Sequence, residues 1–211
     1  MAAYTTIDDP SAYFQIKLYT AAGAYTFDGN SDMQPDWMWI KERNGTNEHN
    51  LFDSVRGTTK RLESSTNAAE QTSSTTLTAF GSDGFTVGTN PGTGQNGSNY
   101  VGWGWKETAD AGFDIVTYSG SSASSKTVSH NLSAVPKMIL VKCKSAAENW
   151  AVYHHALGNT HALFLNTDGA SSDTPVFADT TPTSSVFSVN ADDRTGANGK
   201  TYVAYVFAEK Q

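Results

Sequence analysis

The sequence predicts an all-β protein built from two tandem, related β-sandwich units, jelly-roll-like, of about 100 residues each, preceded by a short N-terminal arm. Only 17% of the 211 residues are charged, whereas aromatic residues reach 11%, a balance typical of many short strands joined by polar turns. The run Pro35–Lys41 also returns as Pro136–Lys142. Both runs are continuously apolar from the second position after the proline, which predicts strands that are covered on both faces.

Alternation and turn residues place the elements of the first unit, residues 13–109, after an arm at residues 1–12. Residues 13–19 alternate apolar with polar side chains and predict the first strand, whose hairpin partner ends at residues 25–27. Further strands are predicted at residues 35–41, 50–53, 59–63, 84–88 and 100–105. The Ser- and Thr-rich segment 64–76 predicts a surface loop with at most one turn of helix.

The second unit, residues 112–211, repeats these elements in order, beginning with a strand at residues 112–118. The matching positions keep a nearly constant separation: Phe14 with Phe113, Pro35 with Pro136, Gly57 with Gly158, Phe85 with Phe187, and Tyr100 with Tyr202. The dipeptide Asn96-Gly97 likewise returns as Asn198-Gly199. Both dipeptides predict hairpin turns of type I′, in which the two central residues have positive φ.

Charge and cysteine content exclude several classes of function. The net charge is −7, the pI is near 5.1, and the longest basic run is Lys60-Arg61, so no nucleic-acid partner is expected. Cys143 is the only cysteine, which rules out an intrachain disulfide and predicts a small buried residue. We find no signal peptide and no membrane-spanning stretch, and therefore expect folding in a cytoplasm without membrane insertion.

A weak calcium-loop candidate is formed by Asp28, Asn30 and Asp32, which place oxygen ligands at alternate positions. Met33 and Trp39 stand where an EF-hand needs glycine and glutamate, so an Asx-rich turn is the simpler interpretation. His154 and His155 are adjacent, and on a strand they would point to opposite faces. We therefore predict no metal site, no cofactor, no catalytic residue and no enzyme activity.

The tryptophans are the strongest binding candidates. Trp37 and Trp39 share one strand face, as do Trp103 and Trp105, and exposed aromatic rows bind sugars by stacking. The repeat places Met138, Leu140, Tyr205 and Phe207 at these positions. Because apolar character is kept at all four positions and aromatic character at two, core packing is the favoured interpretation, with a glycan-binding platform as the alternative.

Four motifs in order resemble a domain of unknown function found in structural proteins of marine tailed phages. They are the runs at residues 35–41, 51–60, 82–88 and 100–106. The second half, with the runs at residues 152–154 and 202–205, is similar to the partner half of those proteins. The resemblance covers nearly the whole chain from Phe14 onward, and it transfers no catalytic residue.

The resemblance implies a non-enzymatic virion protein, either a capsid decoration protein or a tail or fibre component, that is assembled in the host cytoplasm and exposed on the particle. It would act through contacts with other virion proteins and form homo-oligomers. The N-terminal arm, with Tyr4, Asp8, Asp9 and Tyr13, would gain order on a neighbouring subunit. The alternative is a glycan-binding adsorption module on the virion surface.

Overall fold

The computed structural model describes residues 7–210, which form two compact units. The first unit contains residues 7–64 and 71–107, and the second contains residues 65–70 and 108–210. Within the described residues, helical structure is limited to three short 3-10 turns, at Pro10–Ala12, His155–Leu157 and Pro175–Phe177. The all-β prediction is confirmed.

The first unit is made of two antiparallel sheets. Its strands are β1 (Phe14–Thr20), β2 (Gly23–Tyr25), β3 (Trp37–Glu42), β4 (Asn50–Asp53), β5 (Lys60–Glu63), β6 (Gln71–Thr72), β7 (Leu77–Gly81), β8 (Gly84–Val87) and β9 (Asn99–Trp105). The larger sheet has the order β1-β9-β3-β4-β5-β6, and the smaller sheet has the order β2-β8-β7. In the larger sheet β1 is an edge strand, hydrogen-bonded to β9 alone.

The core of the first unit lies between its two sheets. Met38, Ile40 and Tyr100 of the larger sheet belong to one buried cluster with Phe85 and Val87 of the smaller sheet. Because side chains alternate along a strand, the residues between these positions project from the opposite face of the larger sheet. We call that opposite face the outer face.

The second unit has its own sheets. Its strands are β10 (Phe113–Ser119), β11 (Lys126–Ser129), β12 (Pro136–Cys143), β13 (Ala151–His154), β14 (His161–Phe164), β15 (Ser172–Asp173), β16 (Val186–Val189) and β17 (Thr201–Ala208). The larger sheet has the order β10-β17-β12-β13-β14-β15, and β11 pairs with β16.

Both faces of β12 and β17 are buried in the central part of each strand. Ile139 and Tyr202 belong to its core cluster, whereas Leu140 and Tyr205, on the alternate face, are 5% and 0% exposed. The prediction of a doubly covered strand is confirmed for β12. Cys143 is buried, as predicted.

Two local predictions differ from the structure. Segment 65–70 is part of the second unit, where the carbonyl oxygen of Asn67 accepts a hydrogen bond from the Nζ of the buried Lys142 at 3.1 Å, and residues 71–72 form β6. In the two Asn-Gly turns only Gly97 and Gly199 have positive φ, +85° and +79°. Since their asparagines do not, the turns are not type I′.

No helix within residues 7–210 has the length and apolar character needed to cross a membrane.

Candidate functional site

The outer face of the first unit's larger sheet carries all four tryptophans of this unit in two cross-strand rows. One row aligns Phe14 of β1 with Trp105 of β9 and Trp37 of β3. The next row aligns Ile16 with Trp103 and Trp39. The register of three hydrogen-bonded strands therefore gathers on one face residues that lie up to about ninety positions apart in the sequence.

These side chains form a cavity of ≈ 380 Å³ lined by Phe14, Trp39, His49, Trp103 and Trp105, which we call the aromatic groove. The rings of Trp39 and Trp105 both contact Trp37, which is 1% exposed. The Trp37 ring centroid lies 4.6 Å from that of Trp105 and 5.8 Å from that of Trp39, and Phe14 lies 4.9 Å from Trp105. Tilted rings at these distances attract one another and give the groove a rigid wall.

The groove continues into an exposed apolar strip on the edge strand β1. Phe14, Ile16 and Leu18 are 37%, 50% and 59% exposed. Single exposed apolar residues are ordinary on protein surfaces, whereas a contiguous patch marks an interaction site. The groove and the strip together form such a patch.

His49 supplies a polar group to the groove. The Nε1–H of Trp39 donates to its Nδ1 at 2.9 Å, so the proton of the neutral imidazole is on Nε2. Burial lowers the pKa of His49 from its ordinary value of 6.5, and the positive charge of Lys41 lowers it further, against the opposing effect of Glu48. His49 is therefore neutral at pH 7, and the groove carries no charge on its lining residues.

A buried ion pair lies beside the groove, at the end of β4. Asp53 is the cross-strand partner of Trp37, and its Oδ2 accepts a hydrogen bond from the Nε of Arg56 at 2.5 Å. The side chains of Arg56 and Asp53 are 1% and 0% exposed. The guanidinium also donates to the carbonyl oxygens of Lys60 and Leu51. Asp53 also accepts a hydrogen bond from the backbone N–H of Arg56 through its Oδ1, so the pair fixes the turn that follows β4.

The structure brings together all four tryptophans that the sequence singled out. The core interpretation holds for Trp37, whereas Trp39, Trp103 and Trp105 are only partly buried on the outer face. The inner positions of β9 between them are Gly102 and Gly104. A Cβ at Gly104 would lie 2.6 Å from Cζ of Phe27, so the packing of the core occupies the space that a side chain there would need.

Phe14 and His49 also line the groove, and the sequence interpretation did not include them. Their only signals are that Phe14 begins an alternating strand and that His49 precedes β4. Neither signal reveals the strand register that carries them to the tryptophans.

The calcium-loop candidates lie on a surface turn. Asp28 accepts a hydrogen bond from Lys17 at 2.6 Å, and its side chain is 78% exposed. The backbone N–H of Asn30 donates to the hydroxyl of Ser11. Asp32, the third candidate, follows on the same turn. Within residues 7–210, no group of three or more His, Cys, Asp or Glu side chains is arranged to hold a metal ion.

Part of the proposed partner-binding arm contacts its own unit. Asp9 caps the turn at Pro10–Ala12 through Ser11, and its Oδ2 accepts from the hydroxyl of Ser31 at 2.7 Å. These hydrogen bonds lower the pKa of Asp9, that to the Ser11 side chain most strongly. Asp8 is exposed and Tyr13 is partly buried. Tyr4 lies outside the described residues.

A family model described as a domain of unknown function, DUF7483, matches residues 9–211. No curated protein and no solved structure shows significant similarity to the chain.

Proposed function

We propose that this chain, which belongs to the DUF7483 family, is a non-enzymatic structural protein of a phage virion that binds carbohydrate in its aromatic groove. The observation that carries the carbohydrate proposal is the presence of three partly exposed tryptophans on one rigid sheet face, at Trp39, Trp103 and Trp105. The virion setting rests on the resemblance of the sequence motifs to phage structural proteins.

Ring stacking is the physical basis of the proposed binding. The C–H groups of a sugar face carry partial positive charge, and the face of an aromatic ring carries the negative part of its quadrupole. Stacking also removes the apolar faces of ring and sugar from water. The groove offers partly exposed rings and an uncharged lining, which suits a neutral glycan better than a charged ligand.

Pre-organisation supports the same proposal. The tryptophans lie on central strands of an antiparallel sheet, and the rings of Trp39 and Trp105 both contact the buried Trp37. Trp39 is additionally fixed by its hydrogen bond to His49. Because these side chains are already ordered, little conformational entropy is lost when a ligand binds.

We also propose that the two units are tandem copies of one jelly-roll-like β-sandwich. Support comes from the strand pairing, since β1-β9-β3-β4-β5-β6 and β10-β17-β12-β13-β14-β15 have the same order when β1 is matched to β10. Matching residues also pair alike: Phe14 with Trp105 in the first sheet corresponds to Phe113 with Phe207 in the second. On this proposal the groove is specific to the first copy, because the second has Leu140 and Tyr205 where the first has Trp39 and Trp103.

We propose that the protein lies on the outside of the particle. The head is the preferred location, and the tail or a fibre is the alternative. It would be held there by contacts with other virion proteins, including copies of itself. The exposed apolar side chains of β1 are one surface available for such contacts.

A glycan array tests the binding proposal with three proteins: the wild type, Trp103→Ala, and Leu18→Ala as the matched control. Leu18 lies on the same sheet face, in the apolar strip of β1 but outside the groove that is proposed to bind the glycan, and it is more exposed than Trp103. We expect Trp103→Ala to weaken binding by roughly 2 kcal/mol or more, as at binding hot spots, while Leu18→Ala binds like the wild type. Near-ultraviolet circular dichroism of each variant separates lost binding from lost folding. Binding of no host polysaccharide by the wild type would refute the proposal.

Electron microscopy of particles labelled with antibody to this protein tests the virion proposal separately. We expect label at fixed positions on the particle surface. Absence of label from intact and from opened virions would contradict it, whatever the glycan array shows.

A further inference from the structure

A second cavity of the first unit is polar and is lined by residues that come directly before and after His49 in the sequence. It has a volume of ≈ 310 Å³ and is lined by Asn47, Glu48, Asn50, Arg61, Glu63, Asn90, Pro91 and Gly92. We call it the polar cleft. Its size is at the lower end of the ligand sites found in proteins, about 300–1,000 Å³.

Asn50 is the central observation. Its side chain is 1% exposed, and its Nδ2 donates to the carbonyl oxygens of Glu48 at 2.7 Å and Gly92 at 3.1 Å. Both amide hydrogens are therefore used, which fixes the orientation of the amide. The Oδ1 is buried and has no hydrogen-bond partner within the described part of the chain, an arrangement that costs free energy unless something donates to it.

Arg61 supplies the complementary group. Its Nη2 donates to Oε1 of Gln71 and lies 3.1 Å from Oε1 of Glu63. Its Nε is buried and has no hydrogen-bond partner among the residues described. Since Asn50 pairs with Glu63 across β4 and β5, Arg61 lies two residues away on the same strand face. The cleft thus holds one unmatched acceptor and one unmatched donor on adjacent strands.

The walls of the cleft are fixed before any ligand arrives. The Nδ2 of Asn47 donates to Oε2 of Glu42 at 2.6 Å and to the carbonyl oxygen of Pro91 at 3.1 Å, which ties the loop at residues 90–92 to the sheet. Gly92 packs so closely that a Cβ there would lie 2.6 Å from Nδ2 of Asn50. The unmatched atoms are therefore held in place.

We propose that the polar cleft binds a neutral polyhydroxylated ligand, such as a single sugar residue, through Asn50 Oδ1 and Arg61 Nε. A hydroxyl group both donates and accepts, so it satisfies each atom with the same chemistry. The carboxylates of Glu48 and Glu63 outweigh the one guanidinium, which disfavours phosphate and other anions. Arg61 in turn disfavours a metal cation. The proposal does not depend on the aromatic groove.

Titration of the ¹⁵N-labelled chain with D-glucose, D-galactose, N-acetyl-D-glucosamine and glycerol, followed by NMR, tests the site. We expect at least one sugar to shift the backbone amides of Asn50 and Gly92 and the Nε–H of Arg61. The indole N–H signals of the tryptophans report the aromatic groove separately, so the two proposals can fail independently.

Arg61→Lys removes the Nε donor while keeping the positive charge, and Lys60→Ala on the same strand is the matched control. We expect Arg61→Lys to weaken sugar binding about tenfold or more, as for the loss of a hydrogen bond from a charged donor, and Lys60→Ala to leave it unchanged. Three results would each overturn the proposal: no shift at these amides with any probe, equal binding by Arg61→Lys in its folded state, or a crystal structure soaked in the sugars in which only water occupies the cleft.

Discussion

The buried pair of Asp53 and Arg56 gives the sharpest stability prediction, because the structure offers an exposed pair for comparison. In Asp53→Ala the guanidinium of Arg56 stays buried and loses both its countercharge and the acceptor that lies 2.5 Å from its Nε. Removing one partner of a buried pair costs about 3–5 kcal/mol. The exposed pair of Lys17 and Asp28, where Asp28 is 78% exposed, should contribute only about 0.2–1 kcal/mol.

Urea unfolding of Asp53→Ala, Arg56→Ala and the double variant closes a double-mutant cycle, with Asp28→Ala as the control. We expect each single variant to lose about 3–5 kcal/mol of unfolding free energy, the cost of removing one partner of a buried pair. We expect the double variant to cost clearly less than the sum, because no charge is then left buried. Asp53→Ala should lower the unfolding midpoint far more than Asp28→Ala. Equal effects of these two variants, or an additive double variant, would refute the reasoning.

Three further predictions concern packing and protonation. Gly104→Ala places a Cβ 2.6 Å from Cζ of Phe27 and should cost about 1–3 kcal/mol by overpacking; an unchanged urea midpoint would contradict this. Burial lowers the pKa of Lys142 from 10.5 to about 8. Between these two pH values the unfolded chain binds more protons than the folded chain, so wild-type stability should rise with pH from 8 toward the onset of tyrosine ionisation near pH 10. Lys142→Met should lack this rise, and identical pH profiles of variant and wild type would show that Lys142 is not its source. Trp39→Phe removes the donor to His49 Nδ1 and should raise the pKa of His49, because that hydrogen bond favours the neutral ring; an unchanged imidazole titration by NMR would count against it.

Strand positions follow closely from the local sequence. Residues 50–53 were predicted as a strand and form β4 with the same bounds, and residues 13–19 form β1 with a shift of one position. Such segments are predictable because a strand requires only alternation or continuous apolar character between turn residues. The glycines of both Asn-Gly turns were also placed correctly at positive φ, although the type of the turn was not.

The sequence indicated which tryptophans form the candidate site, but not that most of them are partly exposed. The four tryptophans were singled out from the sequence, but the repeat favoured a core position for all of them. In the second unit the corresponding residues Leu140 and Tyr205 are buried, whereas Met138 and Phe207 are partly buried. In the first unit three of the four stay partly exposed, which a comparison of residue types between the copies could not reveal.

The order of residue types along the chain establishes that this protein is all-β, where its main strands run, and that a series of matching positions recurs after about a hundred residues. Which face of β9 turns toward the core is set by the packing of the folded chain. Alternation defines two faces but not which of them is covered, since that depends on the sheet packed against it. Here the packing of Phe27, Met38 and Phe85 against Gly102 and Gly104 assigns the glycine face to the interior and leaves Trp103 and Trp105 on the outside. The polar cleft has the same origin, because the partners of Asn50 and Arg61 come from strands and loops that meet only in the folded chain.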